Sequence, residues 1–292
     1  MPRRFVTLAW IAAACTYLLI VLGAVVRITG SGLGCGDHWP LCNGRLFPSL
    51  KDIPTVIEWS HRLVAAVVSM LVVGLALVGR RLRGSGSPEP GVRAAYTAVV
   101  LLVIQVLLGA VTVKTGLTPV MVILHLATAM LLLGSLIAAA RAPWIPTPDS
   151  WIPLALAFIT VLFGALTANL GAIASCGGFP LCNGQIIPHA GPLAAIHWIH
   201  RLLAYTFLGY LIWWAVRSRE RRVWSLLAIV ALQIAIAATM IQLGFPGGLQ
   251  AAHAAVGAGV WATMVLAAIR PATNPAAAVA ALPPDPTLPR TR

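Results

Sequence analysis

The segment IEWSHRLVA, Ile57–Ala65, opens an otherwise apolar run that continues to about Val78. A stretch of this kind is long enough to cross a hydrocarbon core of ~30 Å as an α-helix, for which ~20 residues suffice. Its first turns nevertheless carry a carboxylate, an imidazole and a guanidinium, on Glu58, His61 and Arg62. Further along, IHWIHRLLA, Ile196–Ala204, repeats the arrangement with His197 in place of Glu58. The same polar pattern thus opens two apolar segments of one chain.

Working outward, composition gives the class. With 59% hydrophobic and 9% charged residues and a mean hydropathy of +0.90, the 292-residue chain is not a water-soluble globule. Apolar runs cover about 6–28, 56–79, 94–113, 120–140, 151–172, 194–216, 223–243 and 250–269. Backbone polar groups in lipid must be satisfied internally, so each run is predicted to be a transmembrane helix. The expected fold is an all-α membrane protein with eight spans. MPRRF resembles the start of a signal peptide, but the apolar run passes Cys15 and reaches Val26, longer than a cleaved signal needs, so an uncleaved first helix is expected.

The net charge of +13 is a topology signal rather than a nucleic-acid footprint. Most arginines fall at the termini or in alternate loops, whereas only Arg27, Arg45, Lys51 and Lys114 lie on the other side. By the positive-inside rule both termini are cytoplasmic, and the loops near 30–55, 114–119, 173–193 and 244–249 face outward across the cell membrane. Anionic lipid headgroups of the bilayer are the expected partners of the basic excess.

The chain is also written twice. Pro40-Leu41-Cys42-Asn43-Gly44 recurs as Pro180-Leu181-Cys182-Asn183-Gly184, Cys35 has a counterpart in Cys176, and His61-Arg62-Leu63 matches His200-Arg201-Leu202. Gln105 precedes His125 by 20 residues, as Gln233 precedes His253. Four helices separate the copies, so the halves share one orientation, and a pseudo-two-fold axis along the membrane normal is expected. The organisation read from this is two tandem four-helix bundles, residues 1–140 and 151–270, joined by a Pro-rich cytoplasmic linker at 141–150. The Pro/Ala-rich tail, 271–292, is expected to be disordered and cytoplasmic.

Seven histidines remain to be explained. His38 and His189 sit in outer loops beside Trp, Pro and Gly, where a solvated role suffices. His61, His125, His197, His200 and His253 fall near the outer ends of helices two, four, six and eight. A charged group at membrane depth costs about 2.5–3.5 kcal/mol on insertion scales, which points to inward-facing, functional side chains. Imidazoles from two facing helices, one on each side of a flat macrocycle, are a known way to hold heme iron in a bundle. His61 with His125, and His200 with His253, form such pairs. Structural zinc would need four tight N/S ligands, which neither half offers, and without C-x-x-C-H there is no covalent heme attachment.

Glu58 lies three residues before His61 and four before Arg62, on one helix face. Two readings stand: an intrahelical pair with Arg62, or a carboxylate aimed at the reactive edge of a His61-bound ligand. Desolvation would favour proton exchange by that carboxylate and the arginine would oppose it. Cys35 with Cys42, and Cys176 with Cys182, each share one outward loop on a disulfide-permissive side, so a short-loop disulfide is expected in each. The spacing does not decide between a staple and a redox-active pair. Cys15 reads as a packing residue.

Taken together, GAVVRITGSGLGCGDHWPLCNG (Gly23–Gly44), EWSHR (Glu58–Arg62), HWIHR (His197–Arg201), His125 and His253 resemble the heme A synthases of respiratory-oxidase assembly, across roughly residues 5–270. The resemblance implies an oxidoreductase that converts heme O to heme A by oxidising a porphyrin methyl group to a formyl. It implies substrate heme between His61 and His125 with Glu58 catalytic, and a resident heme b on the iron ligands His200 and His253. Arg27, Arg62 and Arg201 become candidate propionate contacts, with helix-end snorkelling the alternative for each. A protoheme farnesyltransferase (heme O synthase) upstream, cytochrome oxidase downstream and an unidentified electron donor would be the partners. Three other functions fit parts of the pattern: a quinol-linked diheme b-type electron carrier, a heme transporter or chaperone, and an assembly factor without cofactor.

Overall fold

The structure, a computed structural model, describes residues 1–49, 51–82, 89–189 and 191–272. It contains the eight expected spans: α1 (Arg3–Ile28), α2 (Ile53–Arg81), α3 (Pro90–Lys114), α4 (Pro119–Arg141), α5 (Trp151–Asn169), α6 (Pro192–Ser218), α7 (Arg221–Gln242) and α8 (Gly247–Ala268). All eight are long and apolar enough to cross a membrane. Proline in the first turn starts α2, α3, α4 and α6, where its missing N–H has no helical partner to lose. Asp52 caps α2 by accepting from Thr55 N (3.0 Å) and from the Thr55 hydroxyl, and these bonds hold its carboxyl below the usual carboxylate range. The tail expected to be disordered falls, from residue 273 on, outside the described residues, as does most of the Arg83–Gly91 connection.

The helices pack in two rings. In one, α1 touches α2, α2 touches α3, α3 touches α4 and α4 returns to α1; in the other, α5 to α8 close in the same order. Contacts of α1 with α8, and of α4 with α5 and α8, join the rings through one continuous core. Lipid supplies no hydrophobic drive for helix association, so close packing of small residues carries it. On α1 the buried face is Phe5, Ala9, Ala12, Ala13 and Thr16, a helical stripe of mostly small side chains. Polar anchors also cross the seam: Trp261 Nε1 donates to the Met130 carbonyl (2.7 Å) and the Tyr17 hydroxyl to that of Ala255 (3.0 Å). Leu18, Met70 and Val100 point outward, as lipid-facing residues should.

The segment between the halves is more ordered than its proline content suggested. Trp144–Pro146 forms a short strand, β1, paired antiparallel with β2, Ile269–Pro271, directly after α8. Thr147 donates its N–H to Ala268 O and its hydroxyl to Ala267 O, both at 2.8 Å. The middle of the chain is thereby tied to the end of its last helix. A three-residue ladder carries no periodicity that a sequence reading could detect.

At the opposite end lie the two cysteine loops. Both expected disulfides are formed, Cys35–Cys42 and Cys176–Cys182, and Cys15 is free. The verbatim repeat is a turn. Asn43 and Asn183 take left-handed conformations (φ 50° and 52°), which asparagine tolerates, and are followed by Gly44 and Gly184, also at positive φ. Their side-chain amides donate to Gly34 O (3.3 Å) and Ser175 O (3.1 Å).

Candidate functional site: two imidazole pairs beneath clamped loops

Each loop is fastened to the helix beneath it by an arginine. Arg62 Nη1 donates to the carbonyls of His38 and Leu41, both at 2.7 Å. Arg201 Nη1 donates to Gly178 O (2.8 Å) and Leu181 O (2.9 Å), and its Nη2 to Cys176 O. The planar guanidinium fork suits several carbonyls converging on one point. Neither helix-end snorkelling nor propionate contact is needed to account for these two side chains.

Glu58, only 4% exposed, completes the first clamp. Its Oε2 accepts the Cys35 N–H (2.8 Å), and its Oε1 accepts from Arg62 Nε (3.1 Å) and Nη2 in a buried ion pair. The close approach depends on Gly34, because a Cβ there would run into the backbone of Pro54. In the second loop His197, 5% exposed, occupies the matching place and its Nδ1 lies 3.0 Å from Ala172 O. Glu58 therefore accepts from its loop, whereas His197 faces a carbonyl and donates to it.

One turn deeper are the paired histidines. His61 on α2 and His125 on α4 lie within electrostatic reach of one another, as do His200 on α6 and His253 on α8. All four rings are half-buried. Glycines make room for three of them: a Cβ on Gly23 would stand 3.2 Å from His61 Cε1, on Gly109 3.2 Å from His125 Cε1, and on Gly164 2.9 Å from His200 Cε1. His200 Nδ1 donates to Thr160 O at 3.0 Å, which leaves Nε2 with a free lone pair, the arrangement metal-ligating histidines adopt. Neither ring nitrogen of His61 has a partner among the described residues. His125 and His253 receive side-chain amides, from Gln105 (3.1 Å) and Gln233 (3.3 Å). Sequence reading noticed the equal Gln–His spacings without assigning them a contact.

These donor sets fit heme better than a bare metal. Among the described residues no cluster of three or more His, Cys, Asp or Glu is placed to hold a metal ion. A pair of opposed imidazoles asks for an ion whose remaining ligands arrive with it, as iron in a porphyrin does. Arg27, on the same face of α1 as Gly23, reaches across the seam to Ala168 O and Gln250 Oε1, both at a long 3.4 Å. His38 and His189 are exposed in the loops.

An eight-span helical membrane protein with one imidazole pair in each ring of four helices is the class that fold and site define. Residues 6–265 match the model of the cytochrome oxidase assembly protein family, and the chain belongs to that family. Its relatives include proteins named heme A synthase from Shouchella clausii (34% identical, covering 75% of this chain and 79% of that one), Symbiobacterium thermophilum (32%, covering 85% and 89%) and Alkalihalophilus pseudofirmus (29%, covering 81% and 85%).

Proposed function

We propose that the protein is a heme A synthase, a membrane oxidoreductase that takes heme O as substrate and oxidises one porphyrin methyl group to the formyl of heme A. The observation that carries the reading is the buried Glu58 carboxylate one helical turn from His61, which lies within electrostatic reach of His125 on α4. In this reading residues 1–140 form the substrate bundle and 151–270 a second bundle whose His200 and His253 ligate a resident heme b, with the cysteine loops outside the cell membrane and both termini in the cytoplasm. The lock on His200 by Thr160 O supports a permanent ligand there. Bound heme iron supplies one-electron chemistry. The chain's own residues would do the rest: His61 and His125 would hold the macrocycle, and Glu58 would accept protons released as the methyl group is oxidised, with the electrons passing to an external acceptor and the formyl oxygen entering from water or dioxygen. Arg27, with two long contacts, has donors to spare for a propionate. Heme O arrives from a farnesyltransferase, and the product goes to cytochrome oxidase assembly.

Pigment extraction from purified protein, with identification by mass, tests this. Wild type is expected to yield heme b together with heme O or A. His61→Ala and His125→Ala should lose the farnesylated pigment and keep heme b; His200→Ala and His253→Ala should lose heme b. A wild-type preparation holding two identical, non-exchanging hemes, or none, overturns the assignment. Gly164→Ala gives a finer check. Its Cβ would press on the His200 ring, so affinity at the second pair should fall roughly 10- to 100-fold, as for other changes that disturb ligand orientation, while pigment at the first pair is unchanged. Heme titration followed by absorption spectroscopy reads this out.

A further inference from the structure

The two glutamines facing the histidines are not equivalent, and the difference bears on how long each site keeps its heme. An amide nitrogen can only donate. The contact between Gln105 Nε2 and His125 Nε2 (3.1 Å) therefore makes the imidazole nitrogen the acceptor, and its lone pair is the one an iron would take. Gln233 makes the same approach to His253 Nε2, but at 3.3 Å, and shares its N–H groups with the His253 carbonyl at 2.9 Å. Gly257, one turn beyond His253, gives that amide its seat, since a Cβ there would stand 3.2 Å from Gln233 Nε2. The matching position after His125 is Ala129. Both Oε1 atoms are buried without a partner, so the difference lies in the nitrogen: Gln105 Nε2 has no such tether, and His125 is its one side-chain hydrogen-bond partner among the described residues.

We infer that Gln105 is a release device for the first imidazole pair, a side chain whose amide competes with iron for the His125 lone pair and so hastens departure of the heme held there. This rests on the reading of that pair as the substrate site. A synthase must let its product go, and an amide ready to take the vacated lone pair stabilises the ligand side of the broken iron–nitrogen bond. At His253 the competing amide is held by a backbone carbonyl, which suits a heme that stays. Gln105 acts here through His125, as a positioning residue.

The test is transfer of heme from the loaded, purified full-length protein to an excess of apomyoglobin, followed spectroscopically. A net hydrogen bond corresponds to about a 2- to 10-fold change, so Gln105→Leu is expected to slow release from the first pair by that factor. Gln105→Asn, too short to reach the ring, should do the same without adding apolar surface. Gln233→Leu should change release from the second pair by less. Unchanged or faster release from both Gln105 variants, with the second pair's low-spin spectrum intact as proof of folding, overturns the inference. A merely structural glutamine would give the faster result, because a loosened site loses heme sooner. If wild type holds no pigment that His125→Ala removes, the substrate-site reading itself falls; if it does, and release is insensitive to Gln105, only the inference falls.

Discussion

Replacing Glu58 by Gln is expected to leave heme on the first imidazole pair and to lower the rate of conversion by about 10²- to 10⁴-fold, the range a positioned proton acceptor contributes. The substitution is nearly isosteric, and the glutamine carbonyl can still accept the Cys35 N–H that Oε2 accepts now. The amide nitrogen that replaces Oε1 can only donate and meets the Arg62 N–H groups, so that contact is lost, but Arg62 keeps its grip on the His38 and Leu41 carbonyls. The loop therefore stays in place, and what is lost is the charge that takes up a proton. Mass analysis of extracted pigment should show heme O accumulating, with a hydroxymethyl intermediate if only the later step is blocked. Near-normal heme A would show that Glu58 serves the loop clamp alone.

Arg201→Met should have the largest effect on stability. The side chain is 5% exposed and donates to three loop carbonyls, and no other side chain in the second half duplicates these bonds among the described residues. A hydrogen bond to a charged group is worth about 1.5–3 kcal/mol, and the three share one donor group, so the combined loss is estimated at roughly 3–5 kcal/mol. Methionine fills much of the volume but satisfies none of the carbonyls. The disulfide and the Tyr205 hydroxyl on Pro180 O (2.8 Å) still restrain the loop locally, so the expected result is a loop that lifts without global unfolding. Limited proteolysis should cut within residues 176–189 in the variant and not in wild type. Equal resistance of the two proteins would mean that the clamp contributes little.

How much of this was legible beforehand follows from the kind of signal each feature leaves. The spans were readable because lipid forces long apolar runs to be helical, and the ends differ only where local geometry intervenes. The fifth run was expected to reach residue 172, but α5 stops at Asn169 because Gly171 turns left-handed (φ 71°) into a single 3-10 turn, Ala172–Ala174. The histidines stood out because imidazoles are costly in such helices. The pair of Arg62 with Glu58 was one of the readings of the sequence and is formed, whereas the grip of Arg62 and Arg201 on carbonyls some 20 residues upstream was not legible, because it is set by the path of a loop. The β1–β2 ladder escaped for the same reason, since pairing partners 125 residues apart leave no local periodicity.

Finally, the reversal of polarity beneath the two cysteine loops bars exchange between the repeats. Grafting the first loop over α6 would offer the Cys35 amide to His197, an uncharged imidazole that accepts at Nδ1 only after switching tautomer; the reciprocal graft would bring the Ala172 carbonyl towards a carboxylate, which has no proton to give it. Each half has thus become a lock that accepts only its own key. A chimera with swapped lids would carry two electrostatic mismatches even though the cysteines and the turn still aligned.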